Sequence, residues 1–138
     1  MVCTGNICRS PIAQYLLQMR TKKHPTKVES AGLRALEGHP ADSQAVMLMK
    51  QRGVDISTHR GRQLTNNMLR EAELVLVMET AQRLALEYKA PWARGKIYTL
   101  GHWEEFEVPD PYGKPLAIFE SVTELIDRGV AQWASKLL

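Results

Sequence analysis

The sequence lacks the long apolar run that a membrane-spanning helix needs. Such a helix takes about 20 consecutive apolar residues, and polar or charged residues interrupt every apolar stretch of this 138-residue chain. It has only two cysteines, Cys3 and Cys8, too few for the disulfide framework of a small secreted domain. No apolar signal core is found near the N-terminus. We therefore expect a cytoplasmic protein that does not insert into membranes.

A large charge of one sign is also missing. Eighteen Lys and Arg residues against 15 Asp and Glu residues leave a net charge of +3, which is not the basic footprint of a nucleic-acid-binding protein. No cluster of metal-ligating residues is visible, so neither a metal nor a cofactor is expected. A composition of 44% hydrophobic and 24% charged residues is typical of a globular protein, and residues 1–138 are expected to form one domain.

Short aliphatic segments alternate with helical patterns along the chain, as in parallel βαβ units. Residues 74–78 form a continuous apolar run, which predicts a central strand covered by helices on both faces. The other predicted strands are residues 1–3, 27–30 and 96–100. Four helices are predicted: one that begins at Ser10 and Pro11, and three that span residues 43–52, 80–88 and 115–138. We expect a three-layer α/β/α fold with a four-stranded parallel sheet.

Two irregularities interrupt this pattern. Only Met1 and Val2 precede Cys3, whereas a strand typically has about 5 to 6 residues. The first strand is thus expected to be truncated, either because the natural chain begins earlier or because the fold tolerates a short strand. Gly129 interrupts the apolar stripe of the last helix, where glycine is a poor helix former.

A loop of small and polar residues joins the first strand to the first helix. It consists of Cys3, Thr4, Gly5, Asn6, Ile7, Cys8, Arg9 and Ser10. Loops at the carboxyl end of a parallel strand, ahead of a helix N-terminus, bind anions through backbone amides. Gly5 and Asn6 tolerate backbone conformations closed to most residues, and Arg9 offers a planar fork for two phosphate oxygens. Residues 4–10 therefore predict a phosphate-binding loop, with Ser10 as a candidate cap of the helix.

Cys3 stands at the base of this predicted loop. Amide donors, a helix N-terminus and Arg9 all favour a thiolate over a thiol, and a thiolate can attack phosphorus. An inert buried thiol is the ordinary alternative, but the strand, the loop composition and the helix start together favour the nucleophile. Cys8 either packs beneath the loop or serves as a redox partner of Cys3.

A thiolate that attacks a phosphate ester also needs an acid for the leaving oxygen and then a base for water. Asp110 is the best candidate, because Pro109 and Pro111 stiffen the backbone on both sides of it. An Asp-Pro pair alone is a common turn, so this role depends on the pairing with the cysteine loop. Tyr112 is either a wall for an aromatic substrate or an ordinary surface tyrosine.

These motifs resemble the low-molecular-weight protein tyrosine phosphatases across nearly the whole chain. The family signature begins with a cysteine, contains Gly-Asn-Ile-Cys, ends with Arg-Ser, and has a remote Asp-Pro-Tyr partner. The resemblance implies Cys3 as the nucleophile, Arg9 as the phosphate clamp and Asp110 as general acid and then base. It also implies a supporting hydrogen-bond network at Asn6, Ser10, Ser30 and His59.

Further details resemble the bacterial subgroup associated with tyrosine autokinases of capsule and exopolysaccharide export. They are Gly-His-Trp at residues 101–103, Val-Pro-Asp-Pro-Tyr at residues 108–112, and Leu36 in place of an aromatic pocket residue. With only Tyr112 after Asp-Pro, Leu36 and Tyr112 are expected to form a less aromatic pocket wall. Glu79 stands where many members have aspartate, which leaves its role open. The implied partner is a phosphotyrosine protein such as a tyrosine autokinase, and no oligomeric state is implied.

Three functions are compatible with this loop: phosphotyrosine hydrolysis through a cysteinyl-phosphate, thiol-dependent arsenate reduction, and phosphate recognition without turnover. Arsenate reduction needs further cysteines later in the chain, and none follows Cys8. A binding module needs neither Cys3 nor Asp110. We therefore expect a protein-tyrosine-phosphatase, a hydrolase of aryl phosphate monoesters.

Overall fold

A four-stranded parallel sheet forms the centre of the computed structural model, which describes residues 1–138. The strand order is β2-β1-β3-β4. The strands are β1 (Val2–Cys3), β2 (Ala31–Gly32), β3 (Val75–Val77) and β4 (Ile97–Thr99). The helices are α1 (Arg9–Arg20), α2 (Ser43–Gln51), α3 (Asn66–Glu71), α4 (Thr80–Lys89) and α5 (Leu116–Leu137), with a 3-10 turn at Pro91–Ala93. The predicted fold class is confirmed.

Helices cover both faces of this sheet. Successive strand residues point to opposite faces, so Val75 and Val77 enter a small core with residues of α3 and α4. Leu76 between them enters a larger core shared with α1, α2 and α5. The continuous apolar run therefore correctly predicted a strand buried on both sides. None of the helices is long and apolar enough to cross a bilayer.

The second strand lies later in the chain than predicted. Residues 27–30 precede it, and pairing with β1 occurs at Ala31 and Gly32, where Val2 lies opposite Ala31 and Cys3 opposite Gly32. Glycine is a poor strand former, which is why the sequence pattern placed the end of this strand at residue 30, before Gly32. Gly32 is nevertheless needed here, because a Cβ atom on it would lie 2.7 Å from the carbonyl oxygen of Thr4.

Two helix details also differ from expectation. Ser10 is not the cap of α1, since Cys8 occupies that position and Ser10 is the second helical residue. The Ser10 hydroxyl instead points to other side chains of the loop. The short helix α3 was not predicted, because its six polar-rich residues show no apolar periodicity.

The sheet topology places Cys3 where an α/β protein binds ligands. β1 is hydrogen-bonded to β2 on one side and to β3 on the other. The chain therefore leaves β1 at the point where successive connections diverge to opposite edges, and ligands bind outside the carboxyl ends of strands there. β1 has only two residues, as expected, but β2 is equally short.

Gly129 does not interrupt α5, which runs through it. A Cβ atom at this position would lie 2.7 Å from Leu100 Cγ and 2.9 Å from the Leu100 carbonyl oxygen. Leu100 is fully buried just beyond β4. Glycine thus allows the last helix to approach the end of the sheet closely.

Replacing Gly129 by alanine tests this close approach. Helix propensity alone would make Gly129→Ala more stable by about 1 kcal/mol. We expect the opposite sign, a loss of about 1 to 3 kcal/mol from overpacking against Leu100. Denaturant unfolding measures the change, and Ser135→Ala on the exposed side of α5 is the control that should be close to neutral. A more stable Gly129→Ala protein would contradict the contact.

Candidate active site

The loop between β1 and α1 turns its carbonyl groups outward. The carbonyl oxygens of residues 3–5 accept hydrogen bonds from amides within residues 33–36 at 2.9 to 3.0 Å, and that of Ile7 accepts one from the Asp42 amide at 2.8 Å. None of the backbone amides of residues 4–10 donates to another group of the protein. These amides are therefore available to an anion at the N-terminus of α1.

The backbone at Asn6 makes this arrangement possible. Asn6 has a left-handed φ of 60°, which asparagine tolerates better than most residues, as predicted. Gly5 does not use the left-handed region that glycine permits, because it is not among the residues with positive φ. A Cβ atom on Gly5 would meet only Ile7 Cγ1, at an ordinary 3.8 Å. The turn of the loop thus depends on Asn6.

Asn6 is also the centre of a buried hydrogen-bond network. Its side-chain Nδ2 donates to Ser10 Oγ at 2.7 Å and to Ser30 Oγ at 3.0 Å. Its Oδ1 accepts from the backbone amide of Arg62 at 2.9 Å, and its carbonyl oxygen lies 2.6 Å from His59 Nε2. The structure therefore brings together all four residues that the resemblance implied as a network.

The network determines which way the Ser10 proton points. A backbone amide can only donate, so the bond from Arg62 fixes the Asn6 amide with its Nδ2 facing Ser10. Ser10 Oγ accepts from that Nδ2, which leaves its own hydrogen free. Cys3 Sγ lies 3.0 Å from Ser10 Oγ. Ser10 is thus placed to donate a hydrogen bond to the Cys3 sulfur.

Arg9 is almost fully buried and held from three sides. Its side chain is 2% exposed. Nη1 donates to Glu79 Oε1 at 2.5 Å and to the Val108 carbonyl oxygen at 2.9 Å, and Nη2 lies 4.0 Å from Asp110 Oδ2. A buried charge is costly unless it is paired. The role of Glu79, which the sequence left open, is therefore to pair with Arg9. It compensates and orients the guanidinium beside the loop.

Asp110 stands at the edge of the loop on a well-anchored segment. The Val108 amide donates to the Met78 carbonyl oxygen at 3.0 Å, which attaches the segment to the end of β3. Asp110 Oδ1 accepts from the Tyr112 amide at 3.1 Å, while the Asp110 side chain remains 53% exposed. The Asp110 carboxyl group is therefore oriented, near Arg9, and open to a bound molecule.

The two residues predicted as pocket walls, Leu36 and Tyr112, lie on two different segments that border the site. The Leu36 amide donates to the Gly5 carbonyl oxygen, and the Leu36 side chain is exposed. Tyr112 is bound to Asp110 through its amide and is also exposed. Both side chains are available for contact with a ligand at the loop.

His59 is a neutral donor in this site. It is buried, and burial lowers the pKa of its imidazole, while the nearby Arg60 and Arg62 guanidinium groups act in the same direction. The hydrogen bond to the Asn6 carbonyl oxygen requires a hydrogen on Nε2. A neutral ring with that tautomer meets both conditions.

Cys8 packs beneath the loop among the core residues of α1, α2 and α5. Burial raises the pKa of its thiol strongly, and the carboxylate of Asp42 adds to this effect. Cys8 is therefore a protonated thiol. No group of three or more His, Cys, Asp or Glu side chains is placed to hold a metal ion.

Sequence reasoning missed two glutamines that support the site. Gln14 Oε1 accepts from Ser30 Oγ at 2.6 Å. Gln82 Nε2 donates to Thr4 Oγ1 at 3.2 Å, and its Oε1 accepts from the amide of Glu79 at 3.0 Å. The available signal was spacing, because Gln14 follows Ser10 by four residues and so shares its helix face.

Similarity to known proteins covers the whole chain. A family model described as low molecular weight phosphotyrosine protein phosphatase matches residues 1–138. The probable low molecular weight protein-tyrosine-phosphatase EpsP of Ralstonia nicotianae (strain ATCC BAA-1114 / GMI1000) is 45% identical over 137 residues, which are 99% of this chain and 93% of that protein.

Solved structures have the same fold. The tyrosine phosphatase Wzb from Escherichia coli K30, in complex with sulphate, has a TM-score of 0.94 and 39% identity, covering 99% of this chain and 95% of that one. The YwlE arginine phosphatase from Geobacillus stearothermophilus has a TM-score of 0.90 and 33% identity, covering 99% and 89%.

The fold and the loop define an α/β protein with a loop of unpaired backbone amides after its first strand and a cysteine at the base of that loop. The chain belongs to the low molecular weight phosphotyrosine protein phosphatase family, whose members are hydrolases.

The neutral state of His59 makes stability depend on pH. The unfolded state takes up a proton near the ordinary pKa of 6.5, whereas the folded state resists protonation to lower pH. We therefore expect the free energy of unfolding to fall as the pH drops below about 6.5. Denaturant titrations at several pH values measure this slope. His59→Gln should flatten it, whereas the exposed-site control His24→Gln should retain it, and equal slopes in all three proteins would contradict the assignment.

Proposed function

We propose that this chain hydrolyses protein phosphotyrosine through a cysteinyl-phosphate intermediate. The observation that carries the proposal is the set of unpaired amides at residues 4–10, closed on one side by Arg9 and at the base by Cys3. A phosphate group bound to these donors would present its phosphorus to the sulfur. Such preorganised donors also stabilise the charge of the transition state.

In the first step, Cys3 attacks phosphorus and the bond to the tyrosine oxygen breaks. Asp110 supplies a proton to the leaving oxygen, so that the product is a neutral phenol. Arg9 holds two of the remaining oxygens. Its Nη1 is already bound to Glu79 and Val108, so Nη2 and Nε are the nitrogens left for phosphate.

In the second step, water attacks the phosphorus of the cysteinyl-phosphate and the P–S bond breaks. Asp110 is now a carboxylate and accepts a proton from that water. The electron pair returns to sulfur, where the Ser10 hydroxyl donates a hydrogen bond to the thiolate. Inorganic phosphate is released and the enzyme regains its starting protonation state.

The substrate class follows from the position of the nucleophile. Cys3 is only 2% exposed at the base of the loop, so a long aryl phosphate reaches it more easily than a phosphoserine side chain. The sequence features shared with phosphatases of capsule and exopolysaccharide export support a tyrosine autokinase as the phosphorylated partner. Similarity to an arginine phosphatase makes phosphoarginine a necessary comparison.

A peptide panel tests the proposed reaction and its substrate class. Purified protein should release phosphate from phosphotyrosine peptides at least tenfold faster than from matched phosphoserine or phosphoarginine peptides. Cys3→Ser should lose turnover but still bind vanadate or phosphate, because the amide donors remain. A faster phosphoarginine reaction would overturn the substrate assignment, and undiminished turnover by Cys3→Ser would overturn the nucleophile.

The role of Asp110 is tested by its dependence on the leaving group. Asp110→Asn should lower the rate about 10²- to 10⁴-fold for phenyl phosphate, which needs protonation of a basic leaving oxygen. The effect should be much smaller for p-nitrophenyl phosphate, whose leaving group needs little assistance. Steady-state kinetics on both substrates measure the difference. Glu107→Gln on the same segment is the control, and an equal small effect of Asp110→Asn on both substrates would remove Asp110 from this role.

A redox role of Cys8 also remains a proposal. Peroxide would oxidise Cys3 to a sulfenic acid, and the Cys8 thiol would displace water to form a Cys3–Cys8 disulfide. Because burial raises the pKa of Cys8, this closure should be slow. Dithiothreitol should restore activity to peroxide-treated wild type but not to Cys8→Ala, whose Cys3 would oxidise further. Equal recovery of the two proteins would argue against the partnership.

A further inference from the structure

Thr4 directly follows the proposed nucleophile and keeps two hydrogen-bond donors free. Its backbone amide donates to no group of the protein, and its side chain is exposed. Its carbonyl oxygen is already bound, because it accepts from the Arg34 amide at 2.9 Å. The second free donor is the hydroxyl, since the one hydrogen bond of Thr4 Oγ1 within the protein joins it to Gln82 Nε2 at 3.2 Å.

The side-chain amide of Gln82 has a fixed orientation. Its Oε1 accepts from the backbone amide of Met78 at 2.9 Å and from that of Glu79 at 3.0 Å. Backbone amides can only donate, so Oε1 faces them and Nε2 faces Thr4. Gln82 is buried, and a reversed amide would leave two backbone donors without an acceptor, which is costly in a buried setting.

The Thr4 hydroxyl therefore directs its hydrogen away from Gln82. Because Nε2 is the donor of their contact, Thr4 Oγ1 is the acceptor. The hydroxyl hydrogen has no acceptor within the protein, and rotation about the Cβ–Oγ1 bond lets it point to a group outside it. That group is either solvent or a molecule bound at the loop.

The hydroxyl belongs to the side of the site where Arg9 is held. The Glu79 amide donates to Gln82, and the Glu79 carboxylate binds Arg9 Nη1. The residues that follow β3 thus orient both the guanidinium and the Thr4 hydroxyl. Within Thr4, only the Cα and Cβ atoms separate the amide nitrogen from Oγ1. An anion oxygen that accepts from this amide therefore lies within reach of the hydroxyl.

We propose that the Thr4 hydroxyl donates a hydrogen bond to an oxygen of the bound phosphoryl group, and that Gln82 is the positioning residue that directs it there. The inference rests on the proposed function for the substrate, whereas a free oxyanion such as vanadate should use the same donor. Gln82 holds the hydroxyl in place before the anion arrives. Donors that are preorganised in this way stabilise the charge of a transition state without further rearrangement.

Vanadate binding tests the Thr4 contact without any turnover. Isothermal titration calorimetry of the full-length protein gives the dissociation constant. Thr4→Val keeps the shape of the side chain and should weaken binding about five- to tenfold, as expected for the loss of one hydrogen bond. Thr4→Ser should restore most of the affinity, and Thr26→Val, at an exposed threonine outside the site, is the matched control. Equal affinity of Thr4→Val and wild type, or no recovery in Thr4→Ser, would overturn the contact.

Gln82→Glu tests the positioning role, because it reverses the contact between the two side chains. A carboxylate still accepts from the Met78 and Glu79 amides, but its second oxygen can only accept, so the Thr4 hydroxyl must donate to it. The added negative charge itself weakens vanadate binding, so Thr4→Val is compared in the two backgrounds. It should weaken binding about five- to tenfold in wild type but less than about twofold in Gln82→Glu. An equal loss in both backgrounds would overturn the role of Gln82.

Hydrolysis separates this inference from the proposed function. Thr4→Val should lower kcat/KM about five- to tenfold for both phenyl phosphate and p-nitrophenyl phosphate, because its bond is made to the phosphoryl group and not to the leaving oxygen. A larger loss with phenyl phosphate would overturn that choice of acceptor. Thr4-dependent vanadate binding in a protein without phosphatase activity would overturn the proposed function alone, whereas an active enzyme whose vanadate affinity is independent of Thr4 would overturn this inference alone.

Discussion

The side chain and backbone of Asn6 hold the loop of residues 3–10 in the conformation on which the candidate site depends. A left-handed conformation costs a non-glycine residue about 1 to 2 kcal/mol, and Asn6 adopts it with a φ of 60°. Four hydrogen bonds to Ser10, Ser30, Arg62 and His59 offset that cost, since each contributes about 1 kcal/mol net. The reversal at Asn6 is what lets the loop direct its amides inward while its carbonyl groups bond to the surrounding protein.

The end of β3 organises the opposite side of the site. The Met78 carbonyl oxygen accepts a hydrogen bond from the Val108 amide, and the side chain of the next residue, Glu79, accepts one from Arg9. Val108 also accepts from Arg9 through its carbonyl oxygen. The guanidinium therefore connects the segment of Asp110 to the loop of residues 3–10, and both are attached to the end of the central sheet. Without Glu79, the buried Arg9 would lose its closest carboxylate partner, which is costly for a buried charge, so the acid at position 79 stabilises this arrangement.

The sequence was informative where a local pattern determines the structure. The apolar run at residues 74–78 and the strand-loop-helix context of Cys3 and Arg9 were enough to predict the sheet and the loop. Local patterns failed at Ser10, whose hydroxyl serves the site in place of capping α1, and at β2, where close packing requires Gly32. The bonds of Gln14 to Ser30, of Arg62 to Asn6 and of Gln82 to Thr4 were missed because each joins residues far apart in the chain. The one local signal was the helical spacing of Gln14 from Ser10.

Close backbone approaches explain why the outward carbonyl groups find partners. A Cβ atom on Gly32 would lie 2.7 Å from the Thr4 carbonyl oxygen, and one on Gly61 would clash with the Leu36 carbonyl oxygen. The Leu36 amide in turn donates to the Gly5 carbonyl oxygen. Two positions without side chains thus let the segments around β2 and His59 pack directly against the loop. Because those contacts engage the carbonyl groups, the amides of residues 4–10 are left without partners in the protein. The arrangement of donors that we propose to bind phosphate therefore depends on residues outside the loop.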